Sequence, residues 1–357
     1  MDRITLYIGK TILVAILLAM TLFVGLEIIF SFVNEARHIG TGQYTLWPAI
    51  SFVLLLLPNH IAEMFPMSAL VGTIMGLGLL ASRSELIVMR AAGLSRGDII
   101  VAVSKLAIIL IVFTWILSEW VAPITDRSAT NQKALALSSG QALRTAHGTW
   151  MRDGNHFIHI QSIESNDALS GITRYELNDK MELLKASYAR SAHYVNDHWV
   201  LRDIKETVFE PGKTQSHHIA KSDWISSIDP SMVNLVAVKD LAELSLVELW
   251  QTIRYRQANG LNAKDYQLEF WQKICRPFAT LVMMFLAIPF IFGPLRSATM
   301  GLRMLVAVLV GFVFYTVNQL FGPLTLVYAI PPIVGAVLPT GLFFIVGLVL
   351  LKRSEGN

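Results

Sequence analysis

Cysteine is almost missing from this sequence: Cys275 is the only one in 357 residues. One thiol excludes an internal disulfide and any zinc site built on cysteine. Cys275 itself, at the edge of an apolar run, reads as a small packed hydrophobe. Charge is scarce too, at 15% of residues against 54% hydrophobic, which is too little for an ordinary soluble domain. Histidines cluster only at His156/His159 and His217/His218, with no carboxylate or cysteine at ligand spacing, so no metal is expected. No Walker motif occurs, so the chain alone does not hydrolyse ATP. No nucleophile motif or paired acid stands out, and no cofactor is implied.

The charges that do occur are concentrated. Between Asp126 and Asp265 lie 16 Lys/Arg and 17 Asp/Glu, 33 of the chain's 55 charges in 140 residues. Their near-neutral balance leaves no basic stripe for nucleic acid. A polar domain is therefore expected at 126–265, between a first membrane half (1–125) and a second (266–357), each with three spans. A helix needs about 20 apolar residues to cross a bilayer. Segments 11–33, 99–118, 277–292, 304–320 and 332–351 meet that need. Segment 11–33 lacks a small-residue cleavage site and exceeds a signal h-region, so it reads as a retained span. Phe321-Gly322-Pro323 and Pro331-Pro332 mark a turn-rich loop between the last two spans.

Segment 45–81 is too long for one span and carries Pro58, His60, Glu63 and Pro66 in its middle. Charge decides how often it crosses. With one crossing, preceded by an apolar segment at the outer interface, Arg3, Lys10, Arg83, Arg90, Arg96, Arg296, Arg303, Lys352 and Arg353 all fall inside. Two crossings break that pattern. The expectation is six spans, both termini in the cytoplasm and the polar domain outside. Lys273 and Arg276 fall at the outer end of the fourth span, where they would snorkel to headgroups or bind an anionic ligand.

Residues 145–235 read as β-structure. Phe157-Ile158-His159-Ile160-Gln161 and Ile172-Thr173-Arg174-Tyr175-Glu176-Leu177 alternate with period two. Asn178-Asp179 and Asn196-Asp197 are turn signals, the second flanked by Tyr194-Val195 and Trp199-Val200-Leu201 as a hairpin. Short strands at this spacing predict a sandwich or jelly roll, whose open edges another chain's strands can extend. Segment 244–259 has helical periodicity and leads back to the membrane.

Segment 82–97 is a short amphipathic stretch caught between two spans on the cytoplasmic side. Glu85 and Arg90 offer charge, Leu86, Ile87 and Met89 offer apolar knobs, and Ala91, Ala92 and Gly93 allow close approach. A transporter driven by a separate motor needs a helix of this kind to receive force. Acids are sparse in the spans: Glu27, Glu63 and Glu119. Glu63, in the helix break read at Pro58–Pro66, is the candidate for an ion site; Glu119-Trp120 reads as an interfacial anchor, with Pro123 stopping the helix. Arg37 and His38 after the first span, with Arg127 and Lys133 after the third, would ring the outer mouth with positive charge. They are either ordinary interfacial residues or a binding site for an anionic lipid headgroup.

Tyr7-Ile8-Gly9-Lys10-Thr11, Ser82-Arg83-Ser84-Glu85-Leu86, Glu119-Trp120-Val121-Ala122-Pro123, Phe292-Gly293-Pro294-Leu295-Arg296-Ser297, Phe321-Gly322-Pro323-Leu324 and Ile330-Pro331-Pro332-Ile333 follow one another around the polar insert. In this order they resemble the LptF/LptG permease family of the lipopolysaccharide-export ABC transporter of Gram-negative bacteria, over essentially the whole chain. The resemblance implies an α-helical inner-membrane protein with six transmembrane helices and an inserted periplasmic β-jellyroll. It implies as partners an LptF-like sister permease, an LptB-like ATPase dimer and an LptC-like single-span protein. It implies a non-catalytic subunit that extracts lipopolysaccharide and passes it to a periplasmic bridge. ATPase coupling then falls on Ser84, Glu85, Leu86, Met89 and Arg90, and lipopolysaccharide contact on Arg37, His38, Arg127 and Lys133. His38 stands where a Lys or Arg is expected, and histidine is mostly neutral near pH 7. An LptF-like sister subunit, a membrane-anchored scaffold, an ion-coupled carrier using Glu63 or Glu27, and an enzyme acting on headgroups are the rival readings.

Overall fold

The computed structural model describes residues 3–137, 144–165, 167–226, 228–238, 240–292 and 299–355. The segment Phe292–Ser297 quoted above falls mostly outside them, as does the Arg96 side chain. The chain divides into two compact units, one of Met1–Arg37, Ile50–Ala129 and Lys264–Asn357, the other of His38–Ala49 and Thr130–Ala263.

The first unit is a helical bundle. Its elements are α1 (Arg3–Ala36), α3 (Leu57–Ser82), α4 (Glu85–Ala91), α5 (Arg96–Ile116), α9 (Lys264–Phe292), α10 (Met300–Val327) and α11 (Pro332–Glu355); α2 (Leu46–Leu55) precedes α3. A π-helical turn, Leu117–Val121, joins α5 to α6 (Ala122–Leu137). Six helical runs are long and apolar enough to cross a membrane, and the short apolar α2 is not among them. Segment 45–81 therefore contributes a single crossing.

Helix α3 is the hub. It packs on α1, α9 and α10, and 83% of its apolar window is buried, against 28% for α1 and 22% for α10. Lipid tails are as apolar as leucine, so close backbone approach, more than hydrophobicity, drives such packing. Gly72 and Gly76 supply it: a Cβ at Gly72 would meet the backbone of Ile16, and one at Gly76 would come within 2.8 Å of Ile12 Cα. Gly311 brings α10 onto Met67 in the same way.

Three prolines depart from the sequence expectation. Pro58 sits in the first turn of α3, where a missing N–H costs nothing, but Pro66 lies inside a helix that runs on without a break. Pro323 is likewise inside α10, which extends through Phe321-Gly322-Pro323 to Val327. Pro123 does not stop the third span. The wider π-turn just before it absorbs the lost hydrogen bond, and α6 continues to Leu137.

The second unit is built on a six-stranded antiparallel sheet in chain order: β1 (Arg144–Asp153), β2 (His156–Ser165), β3 (Ala168–Leu177), β4 (Leu183–Val195), β5 (His198–Glu210) and β6 (Lys213–Trp224). The expected turns are present. Asn196 and Asp197 both have positive φ, as a two-residue type I′ hairpin requires. The Asn178 carboxamide oxygen accepts from the Lys180 and Glu182 amides.

A crease crosses the whole sheet. Regular pairing skips the row Gln161, Gly171, Arg190, Asp203 and Ala220, next to a larger bulge on β1 that ends at Gly148. Gly148, Gly171 and Asp203 have φ of 66°, 66° and 54°. Across this row the inward residues are spaced by three, not two: Leu169 and Ile172, Ala189 and Ala192, Leu201 and Ile204. Register is the same on both sides of the row, so each strand kinks at one level with no extra residue on either partner. The inward residues surround Trp199, whose indole N–H donates to Ile228 O at 2.8 Å.

Residues 230–237 are helix and not β-structure. Asp229 caps the Met232 amide and Pro230 occupies the first turn of α7 (Pro230–Ala237). Helix α8 (Leu246–Ala258) begins with a Ser245/Glu248 capping box. The buried Tyr255 hydroxyl donates to Arg152 O at 2.8 Å, and burial pushes its pKa up.

Candidate functional site

The segment between α3 and α5 is fixed at both ends. Ser84, with φ of 60°, breaks the chain direction between α3 and α4. Ser95 and Asp98 form a capping box that starts α5. Between them α4 is seven residues long. Glu85 sits in its first turn, where a carboxylate suits the positive helix end. Its Oε2 accepts a 2.8 Å hydrogen bond from the Tyr7 hydroxyl, and Arg83 lies at 4.0 Å from its Oε1.

The apolar knobs divide differently from the sequence expectation. Leu86 is only 4% exposed and joins the bundle core, and Met89 packs against the same core. Ile87 and Val88 point outward, at 67% and 66% exposed, and Arg90 is exposed beside them. Three apolar residues were read as one outward set, but a helix this short turns Leu86 and Met89, three apart, to one face. Val88, and the tie from Tyr7 to Glu85, were not foreseen.

At the other end of the bundle, Arg37 and His38 follow α1 and are exposed. Arg127 and Lys133 are half-buried on α6 and both carry interactions. Six residues apart, they lie roughly 120° apart around the helix and so do not share one face. Lys273 and Arg276, by contrast, neither snorkel nor wait for a ligand. Lys273 is 5% exposed, among Glu269, Glu119 and Asp126, and Arg276 Nη2 donates to Glu269 Oε1 at 3.1 Å. Asp126, 1% exposed, accepts from Asn59 Nδ2 at 2.9 Å. Buried charges persist when paired in this way, and here they tie α3, α6 and α9 together.

The candidate ion site is also committed internally. The Gln319 amide donates to Glu63 Oε1 at 2.8 Å, and His60 Nδ1 stands 3.9 Å from Glu27 Oε1. With α3 continuous through this region, the broken helix that motivated an ion site is not there. Among the described residues no group of three or more His, Cys, Asp or Glu is placed to hold a metal.

Residues 6–353 match the family model described as "Lipopolysaccharide export system permease LptF/LptG". The chain is 40% identical over 352 residues to the lipopolysaccharide export system permease protein LptG of Escherichia coli K12, covering 98% of both chains. It is 39% identical over the same length to the LptG protein of Haemophilus influenzae. Similarity to the E. coli LptF protein is 32% over 152 residues, 40% of each chain. Six spanning helices around an inserted antiparallel sheet, and a likeness to LptG that runs end to end where that to LptF does not, agree: the chain belongs to the LptF/LptG family of lipopolysaccharide export system permeases.

Proposed function

We propose that this chain is the LptG-type permease subunit of an ABC transporter that extracts lipopolysaccharide from the inner membrane and passes it to a periplasmic bridge. Its termini and α4 lie in the cytoplasm and its sheet domain in the periplasm, the orientation that puts the short-loop and span-flanking Arg3, Lys10, Arg83, Arg90, Lys352 and Arg353 inside. An LptF-like sister permease completes the bundle, an LptB-like ATPase dimer supplies the energy, and an LptC-like single-span protein joins them. Arg37, Arg127 and Lys133 offer positive charge to the lipid phosphates, with His38 beside Arg37 as a hydrogen-bonding group.

The observation that carries this reading is α4. Ile87 and Val88 project from a helix rooted in the bundle by Leu86, between Glu85 and Arg90. In a chain without a Walker motif, such a helix is the place for a motor to grip. ATP-driven closure of the motor moves α4, and the bundle changes between two states that differ in affinity for the lipid. In the reconstituted complex, Glu85→Lys is expected to leave ATP hydrolysis in place and to cut lipid release by about tenfold or more, the range of a coupling free energy of 1–3 kcal/mol. Unchanged lipid release on ATP addition would sink the assignment.

A further inference from the structure

The outer face of the sheet carries an aromatic shelf that the export reading does not use. Trp150 on β1 pairs directly with His159 on β2, and His159 with Thr173 on β3. The Trp150 and His159 rings lie 4.8 Å apart, and Tyr175 stacks on Trp150 at 6.1 Å with 14° between the planes. These side chains are on the face opposite Met151, Ile158, Ile160 and Ile172, which fill the core. A tryptophan buries 150–250 Å² when it is covered, yet Trp150 is 57% exposed.

The shelf is built, not incidental. Gly148 lies on the same strand two residues before Trp150, and a Cβ there would collide with the His159 ring. The β1 bulge at Gly148 therefore opens the space in which His159 leans on Trp150. Arg152, on the same face, has its guanidinium 5.1 Å over the Phe157 ring, and its Nε donates to Gly154 O at 2.9 Å.

We propose that Trp150, His159 and Tyr175 form a stacking platform for the saccharide portion of the exported glycolipid, with Arg152 facing its phosphate or carboxylate groups. The proposal rests on the lipopolysaccharide reading above. A sugar ring has an apolar C–H face that suits an aromatic plane, and a hydroxyl rim that suits hydrogen-bonding neighbours. Thr173 and Gln161 provide those neighbours beside the rings. Arg152 provides charge complementarity to an anionic saccharide, and neither it nor any ring of the shelf is acidic. An acyl chain would find its apolar surface on the other side of the sheet, among Met151, Ile158, Ile160 and Ile172.

The test uses the full chain, assembled with its partner subunits in nanodiscs, and two probes: fully deacylated lipopolysaccharide, which keeps sugars and phosphates, and lipid A without core sugars. Binding is read by saturation-transfer NMR for the first and by ligand-induced thermal shift for the second. Trp150→Ala is expected to weaken the deacylated saccharide by about tenfold, as the loss of one stacked ring does, and to leave lipid A unchanged. Trp150→Phe, which keeps a ring face, is expected to recover most of the saccharide affinity. Equal saccharide binding by wild type and Trp150→Ala overturns the platform, and so does a parallel loss of both probes, which would report damage to the fold. Wild type that binds lipid A but not the saccharide overturns the platform alone. Wild type that binds neither overturns the export reading with it.

Discussion

The two units of this chain are insulated from their surroundings in opposite ways. In the sheet unit, large apolar side chains such as Trp199, Leu201 and Ile204 face in, and charged ones such as Arg202 and Lys205 face out. In the bundle, Leu17, Leu18, Leu22 and Phe30 face out from α1, while the contact with α3 is made at glycines. Water enforces the first arrangement through the hydrophobic effect. In hydrocarbon that force is absent, and fit decides. The same substitution therefore has different consequences in the two units: removing volume damages the sheet, and adding volume damages the bundle.

Three measurements sharpen that contrast. The largest effect is expected for Trp199→Ala. It empties the centre of the sheet core and orphans Ile228 O, at a cost of about 4 kcal/mol, read as a lower midpoint when unfolding is followed by near-UV circular dichroism. Next comes Gly72→Leu, which forces α1 off α3 and costs about 3 kcal/mol by overpacking. It should lower the thermal midpoint in detergent, while Leu18→Ala on the outward face of α1 changes stability by less than about 0.5 kcal/mol and barely moves that midpoint. If the two variants behave alike, fit at Gly72 is not what holds the bundle.

The smallest effect concerns an exposed polar contact between β5 and β6. His218 Nε2 lies 2.7 Å from Asp203 Oδ1, and this hydrogen bond holds the Asp203 carboxyl below its ordinary range. A lowered carboxylate pKa stabilises the fold fully above the unfolded value, and that stabilisation disappears as pH falls through the folded one. Wild type should thus lose a small increment of stability below about pH 4 that His218→Ala does not lose. Melting curves of the two proteins between mildly acidic and strongly acidic pH should converge as the carboxyl protonates. Curves that keep a constant separation over that range would refute the coupling.

Much of this architecture is legible in the chain. Loop arginines decide that 45–81 crosses once, and Asn178 and Asn196 mark their turns through side-chain and left-handed backbone chemistry. The failures have physical causes. Pro66, Pro123 and Pro323 read as breaks because water-soluble helices end there, but packed membrane helices accommodate proline with neighbours and local π-turns. The inward spacing of three at Ala189/Ala192 and Leu201/Ile204 does not fit a period-two template, although its recurrence in successive strands is a visible sign of a shared kink. Asp229-Pro230 is a helix start that was passed over within a β-rich stretch. Gly72-x-x-x-Gly76 is a close-packing motif written in the sequence. Of the segment between α3 and α5, Glu85, Ile87 and Arg90 were readable from the sequence pattern alone. The inward turn of Leu86 was not, because it depends on which face of α4 meets the bundle. Lys273 was misread as an available cation because Glu119 and Asp126 lie far from it in the chain and reach it only in the fold.

The π-turn at Leu117–Val121 gives the third span a phase as well as a path. One surplus residue is stored there, because a π-turn spends one more residue than an α-turn over nearly the same angle. Removing a single residue of the five would close the turn to an ordinary one and leave Asp126 still facing Asn59. Removing one residue of the regular helix beside it has no such store to draw on: it would swing the segment beyond by about 100° around its axis and take Asp126 from the carboxylates around Lys273. The π-turn is thus the stretch of this span where the chain can change length without changing face.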